Sequence, residues 1–118
     1  MKASRGEIKI FEILQMAGFN FKEEYSVEGL NSSNGRPLRF DFAVFDDDGN
    51  IDFMIEYQGR QHYEPVAKFG GNKGFFQQQY NDNKKRRYCK LNGIALVEIP
   101  YTEENLISYD YILRKAGY

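Results

Sequence analysis

The chain has 118 residues, a length that suits one compact domain, and its formal charge of −1 gives no bulk attraction to a polyanion. Hydrophobic residues make up 42% and aromatic residues 16%, enough to fill one core. Cys89 is the lone cysteine, which excludes an internal disulfide and a cysteine-rich zinc site and fits a reducing compartment.

Ser4 can cap a helix running to about Ala17, with Glu7 at the third position as in a capping box. Ile8, Phe11, Ile13, Leu14 and Ala17 give that helix an apolar stripe, and Gly18 ends it. A short aromatic strand centres on Glu24 to Val27, and Asn31 to Pro37 is a loop. Leu38 to Phe45 and Ile51 to Gln58 read as two strands of a hairpin, with Asp48-Gly49 at the centre of a primed turn. Gly59 to Lys73 is irregular, and Gly74 to Asn92 is a long polar helix closed by Gly93. Ile94 to Ile99 is a near-continuous apolar strand, expected to be buried on both faces. Thr102 caps a last helix from Glu103 to Lys115. The order helix, three strands, helix, strand, helix predicts an α/β domain over residues 1–118, a mixed four-stranded sheet flanked by helices. No run approaches the roughly 20 apolar residues of a membrane span and no signal-like segment opens the chain, so a cytoplasmic protein is expected.

The hairpin carries the chemistry. A turn centred on Asp48-Gly49 sets Asp47 opposite Asn50 and Asp41 opposite Glu56. Directly opposed side chains lie about 4.5–5.5 Å apart at Cβ, where two carboxylates repel unless a positive charge lies between them. The apolar face of this pairing is Leu38, Phe40, Phe42 and Val44 against Ile51, Phe53, Ile55 and Tyr57. Arg39, Asp41 and Ala43 face Asp52, Met54, Glu56 and Gln58 on the other side. A divalent cation such as Mg²⁺, with Mn²⁺ as a substitute, suits a carboxylate pair of this kind. The plain structural alternative is that Asp41 and Glu56 are paired by Arg39, Arg60 or other basic residues.

His62 is the only histidine and follows the second hairpin strand by four residues, placed to act as a general base or to orient water. A loop histidine bonded to a backbone carbonyl is the bland reading. On the long helix, Gln78, Asp82, Lys85 and Cys89 share one stripe, while Tyr80, Tyr88 and Leu91 lie on a neighbouring stripe suited to the core. Lys84, Lys85, Arg86, Arg87 and Lys90 form the densest basic cluster. With Lys68 and Lys73 they can contact a phosphate backbone or simply form a solvated face. Cys89 reads as a small packing residue.

Asp41 on one strand and Glu56-Tyr57-Gln58 on the next resemble the PD-(D/E)xK, or restriction-endonuclease-like, nuclease superfamily, whose core has the same element order. Gly59-x-x-His62-Tyr63, Asp82-x-x-Lys85 and Ile94 to Tyr101 extend the likeness towards its very-short-patch-repair-like branch and phage homing endonucleases. The resemblance implies a Mg²⁺-dependent DNA endonuclease of phage or mobile-element type. Its site would contain Glu7, Asp41, Glu56, His62 and, further on, Asp82, with Asp41, Glu56 and the Tyr57 carbonyl as metal ligands. The superfamily's lysine is Gln58 here, so the water falls to His62, Lys85 or Gln58. DNA would lie on Arg39, Arg60, Lys68, Lys73, Lys84 and Arg86. A domain of this size would dimerise or rely on a separate DNA-binding domain. A module that binds DNA without cutting it is the alternative that the Gln58 departure favours.

Overall fold

The computed structural model describes residues 3–118. Helix α1 spans Arg5–Met16. Ser4 caps it: the Glu7 amide donates to its hydroxyl oxygen at 3.2 Å, and that hydroxyl donates back to the Glu7 carboxylate at 3.0 Å. Gly6, Ile10 and Leu14 are its buried stripe. Strands β1 (Asn20–Asn31), β2 (Pro37–Phe45), β3 (Ile51–Gln58) and β4 (Ala95–Pro100) lie side by side in that order. The first two pairings are antiparallel and β3 pairs with β4 in parallel. The parallel step needs a crossover, and helix α2 (Gly71–Leu91) supplies it.

Each face of the sheet has its own core. On one, α1 and α3 (Tyr109–Lys115) bury Ile10, Leu14, Phe42, Val44, Phe53, Ile55, Val97 and Ile99. On the other, α2 covers Leu38, Phe40, Ala43 and Met54 through Cys89 and Tyr88. The mixed four-stranded sheet flanked by helices is therefore as expected, and β3 has the expected bounds. No helix of the described residues is long and apolar enough to cross a membrane.

Several local readings need correction. The hairpin turn is centred on Asp47-Asp48: the Gly49 amide donates to the Asp46 carbonyl at 3.1 Å and only Gly49 takes a positive φ. The Asp46 carboxylate accepts from the Asp48 and Asn50 amides at 2.9 Å, so an Asx cap outweighs the primed turn. A bulge at Asp52 then shifts the ladder from Phe45↔Ile51 to Val44↔Phe53, which restores the expected register along Ala43↔Met54 and Phe42↔Ile55.

The face assignment changes along β2. Leu38 and Phe40 point to α2, whereas Phe42 and Val44 point to α1, so the alternation skips a step at Asp41. Helix α2 begins at Gly71, three residues early, because Gly70 takes a left-handed cap with φ 92°. Gly74 leaves the room this needs: a Cβ there would lie 1.9 Å from the Phe69 carbonyl oxygen. The last helix is broken. Tyr101–Leu106 forms a 3₁₀ segment, Ile107 turns extended to reach the core, and Ser108 rather than Thr102 caps α3.

Gly6 brings α1 against Tyr57, since a Cβ at Gly6 would fall 2.2 Å from that ring. Gly6→Ala is expected to lower stability by about 1–3 kcal/mol through overpacking, read as a drop in melting temperature of several degrees.

Candidate functional site

Strands β2 and β3 part at Asp41. Their ladder ends at Phe42↔Ile55, and the Asp41 carboxylate takes the place of the next rung by accepting the Tyr57 amide at 2.7 Å. Glu56, one residue earlier on β3, brings its carboxyl within hydrogen-bonding reach of Asp41. The two groups stand together as the hairpin register predicted.

Burial raises the Asp41 pKa, and the Tyr57 amide partly opposes this. Glu56 is 6% exposed, and burial pushes it up to about 8 against the opposing pull of Lys85. The Lys85 ammonium reaches down from α2 and donates to Glu56 in a buried pair, 5.5 Å from the centre of the Phe40 ring. Arg39 and Arg60 do not serve these carboxylates. Arg60 pairs with Glu64, and Arg39 is exposed with no ion pair among the described residues.

Glu7 and Glu24 complete the acidic set. One carboxylate oxygen each from Glu7, Glu24 and Asp41 lie within 4.8 Å of one another. Glu7 was expected, and its helix cap positions it. Glu24 was missed. It sits between the Glu23↔Phe42 and Tyr25↔Phe40 pairs with φ 50°, a left-handed conformation that glutamate rarely adopts. No local sequence rule marks such a kink in a strand. The oxygen-only donor set fits a hard divalent cation of the Mg²⁺ or Mn²⁺ kind.

His62 ends a 3₁₀ turn, Arg60–His62. Its Nδ1 lies 2.9 Å from Asp82, whose other oxygen accepts the Gln78 amide at 3.1 Å. Asp82 and Lys85 are three residues apart on the buried face of α2, so the His62–Asp82 and Glu56–Lys85 pairs are neighbours along the helix. A carboxylate at Nδ1 fixes the ring orientation and leaves Nε2 as the second ring nitrogen.

Gln58 turns away from this group. Its carbonyl accepts the Tyr63 hydroxyl and its amide donates to Glu98, each at 2.5 Å, while Glu98 also holds Arg86 at 2.7–3.1 Å. Tyr57 contacts the site through its amide, and its hydroxyl donates to Glu104 at 3.1 Å. The basic cluster divides around the helix. Lys85 points inward, Arg86 meets Glu98, and Lys84 donates to the Asn31 carbonyl. Lys68 lies over the Phe69 ring, and Lys73 is exposed. Cys89 is buried in the α2-side core, which pushes its thiol up to about 11 and suits packing.

Three viral proteins are similar to parts of this chain. "Uncharacterized protein 094L" of Frog virus 3 is 39% identical over 89 residues, 74% of this chain and 53% of its own length. "Uncharacterized protein 307L" of Invertebrate iridescent virus 6 is 44% identical over 66 residues, 54% of this chain and 34% of its own. "Uncharacterized protein 033L" of Invertebrate iridescent virus 3 is 49% identical over 53 residues, 44% and 27% respectively. The chain thus spans about half or less of the length of these relatives. No family model and no solved structure matches it.

The raised Glu56 pKa has a thermodynamic consequence. Between its ordinary value of 4.5 and about 8 the folded chain holds a proton that the unfolded chain releases, so stability falls as pH rises through that window. Melting curves from pH 4.5 to 8.5 should show this fall, and Glu56→Gln should flatten it even if its absolute melting temperature is lower.

Proposed function

We propose that this domain is a metal-dependent DNA endonuclease that hydrolyses phosphodiester bonds, a member of the PD-(D/E)xK, or restriction-endonuclease-like, superfamily. The observation that carries the reading is the half-buried Asp41 beside the buried Glu56–Lys85 pair, at the point where β2 leaves β3. The αβββαβα order with these carboxylates on adjacent strands supports it, as does Glu7 arriving from the first helix.

Asp41, Glu56 and Glu7 would hold Mg²⁺, and Glu24 stands close enough to join them. When bound, the ion neutralises charge on a phosphodiester. The protein residues have separable roles. The Tyr57 amide fixes the Asp41 carboxylate. Asp82 orients His62, so that Nε2 can take a proton from water. Lys85 supplies the positive charge that Gln58 lacks, entering from α2 rather than from β3. Lys73, Lys68 and Arg39 are exposed cations suited to the DNA backbone, whereas Lys84, Arg60 and Arg86 already have partners within the chain.

A domain that binds DNA without cutting it is the second reading. Gln58 favours it, because its amide is held by Tyr63 and Glu98 and carries no charge to substitute for a lysine.

The deciding experiment is conversion of supercoiled plasmid in Mg²⁺ or Mn²⁺, beside EDTA and Asp41→Ala controls. Nicked or linear product that requires both metal and Asp41 is expected. His62→Ala should slow conversion by roughly 10²–10⁴-fold while plasmid retardation on a gel persists. Retardation without conversion would favour the binding module.

Metal binding has its own readout. Cation must displace the proton that burial keeps on Glu56, so the Mg²⁺-induced rise in melting temperature should grow from pH 6 to pH 9. Asp41→Ala should abolish that rise, and a rise unchanged in the variant would place the ion elsewhere.

A further inference from the structure

Helix α2 buries two charged side chains and exposes two of its rings. Its buried face is Asp82, Lys85 and Cys89, while Phe76 is 65% and Tyr80 51% exposed on the opposite side. A helix covering a sheet ordinarily buries its rings and exposes its charges. Core packing therefore does not account for these two aromatics.

Lys73, Phe76, Tyr80, Lys84 and Arg87 recur at three- and four-residue intervals and form one stripe. With Asn72, Gln77 and Ser33, the first three line an open groove between α2 and the loop joining β1 to β2. Charge is segregated here. Helix α2 holds six of the chain's 16 basic residues but one of its 17 acidic ones, and that one, Asp82, is buried against His62. Lys73 and Arg87 are exposed and form no ion pair among the described residues. Lys84 donates to the Asn31 carbonyl and stands 5.4 Å from the centre of the Tyr80 ring, which holds that ring in place.

Aromatic faces interleaved with unpaired cations complement a strand whose bases are free to stack. A duplex offers phosphates to the cations but keeps its base faces inside its own stack. We propose that this outer stripe of α2 binds single-stranded nucleic acid, with bases on Phe76 and Tyr80 and phosphates on Lys73 and Arg87. The Asn72 amide lines the same groove, while the Gln77 amide donates to Ser33 and Asn81 and ties the groove to the β1–β2 loop. The inference rests on the reading of DNA as the ligand and names its form; it does not require cleavage.

Fluorescence anisotropy in EDTA tests it, with labelled oligothymidine and a labelled hairpin duplex. The single strand should bind about tenfold tighter than the duplex. Phe76→Leu with Tyr80→Leu keeps apolar area but removes the ring faces. It should cost about tenfold in affinity for oligothymidine, with the circular dichroism spectrum unchanged. Lys73→Gln with Arg87→Gln should instead lower the salt dependence, by about two phosphate contacts. Equal binding of both forms, or a leucine variant that binds like the parent, would overturn the proposal. A chain that binds oligothymidine but leaves plasmid intact keeps this inference and rejects the nuclease. One that cuts plasmid and ignores oligothymidine does the reverse.

Discussion

The hydrogen bond from the Tyr57 amide to the Asp41 carboxylate stands where the β2–β3 ladder would otherwise continue. A buried backbone donor at the end of a ladder needs an acceptor, and leaving it unpaired costs about 1–3 kcal/mol. Asp41 meets that need with a side chain, which lets β2 rotate away and send Phe40 to the opposite face from Phe42. Asp41 there meets Glu7 and Glu24 in one acidic cluster and Glu56 as its neighbour on β3. The same contact that ends the sheet thus defines the acidic group.

Helix α2 closes the site from the other side, and the charges it buries follow from what β3 presents. Met54 asks for an apolar partner and finds Cys89 in the same core. Glu56 asks for a cation and finds Lys85, one turn of helix away. Another turn on, Asp82 serves His62. Buried charges persist where each has a partner, and removing one member of such a pair leaves the other uncompensated. This is a costly way to pack a helix on a sheet, because each buried charge needs its partner in place.

Much of this architecture was legible from local pattern. Caps and glycines set α1, alternation set β3, and the apolar run with a preceding long helix implied the parallel crossover. The register that opposes Asp41 to Glu56 was also legible, although by two cancelling errors. The turn is one residue longer than a primed turn, and the Asp52 bulge absorbs the difference. What escaped depends on contacts distant in sequence. Glu24 gives no sign of its left-handed backbone, which occurs between the strand pairs Glu23↔Phe42 and Tyr25↔Phe40, opposite the point where β2 changes face. Tyr80 and Leu91 looked like core residues because periodicity reports which residues share a face, not which face meets the sheet. Ile107 broke a helix that its flanking sequence favours, because the core had room for its side chain.

Gln58 and Lys85 show how partners distant in sequence decide where a polar side chain on the sheet points. The Gln58 amide is locked between Tyr63 and Glu98, and Glu98 is held in turn by Arg86. Lys85 meets Glu56 from above, and its ammonium also lies against the Phe40 ring, which the rotation of β2 has turned towards α2. Burial beside that ring lowers the local dielectric, which keeps a proton on Glu56 to about pH 8 and strengthens its attraction to Lys85 once that proton leaves. The rotation at Asp41 therefore does two things at once: it opens the acidic group and turns the Phe40 ring towards the Lys85 ammonium.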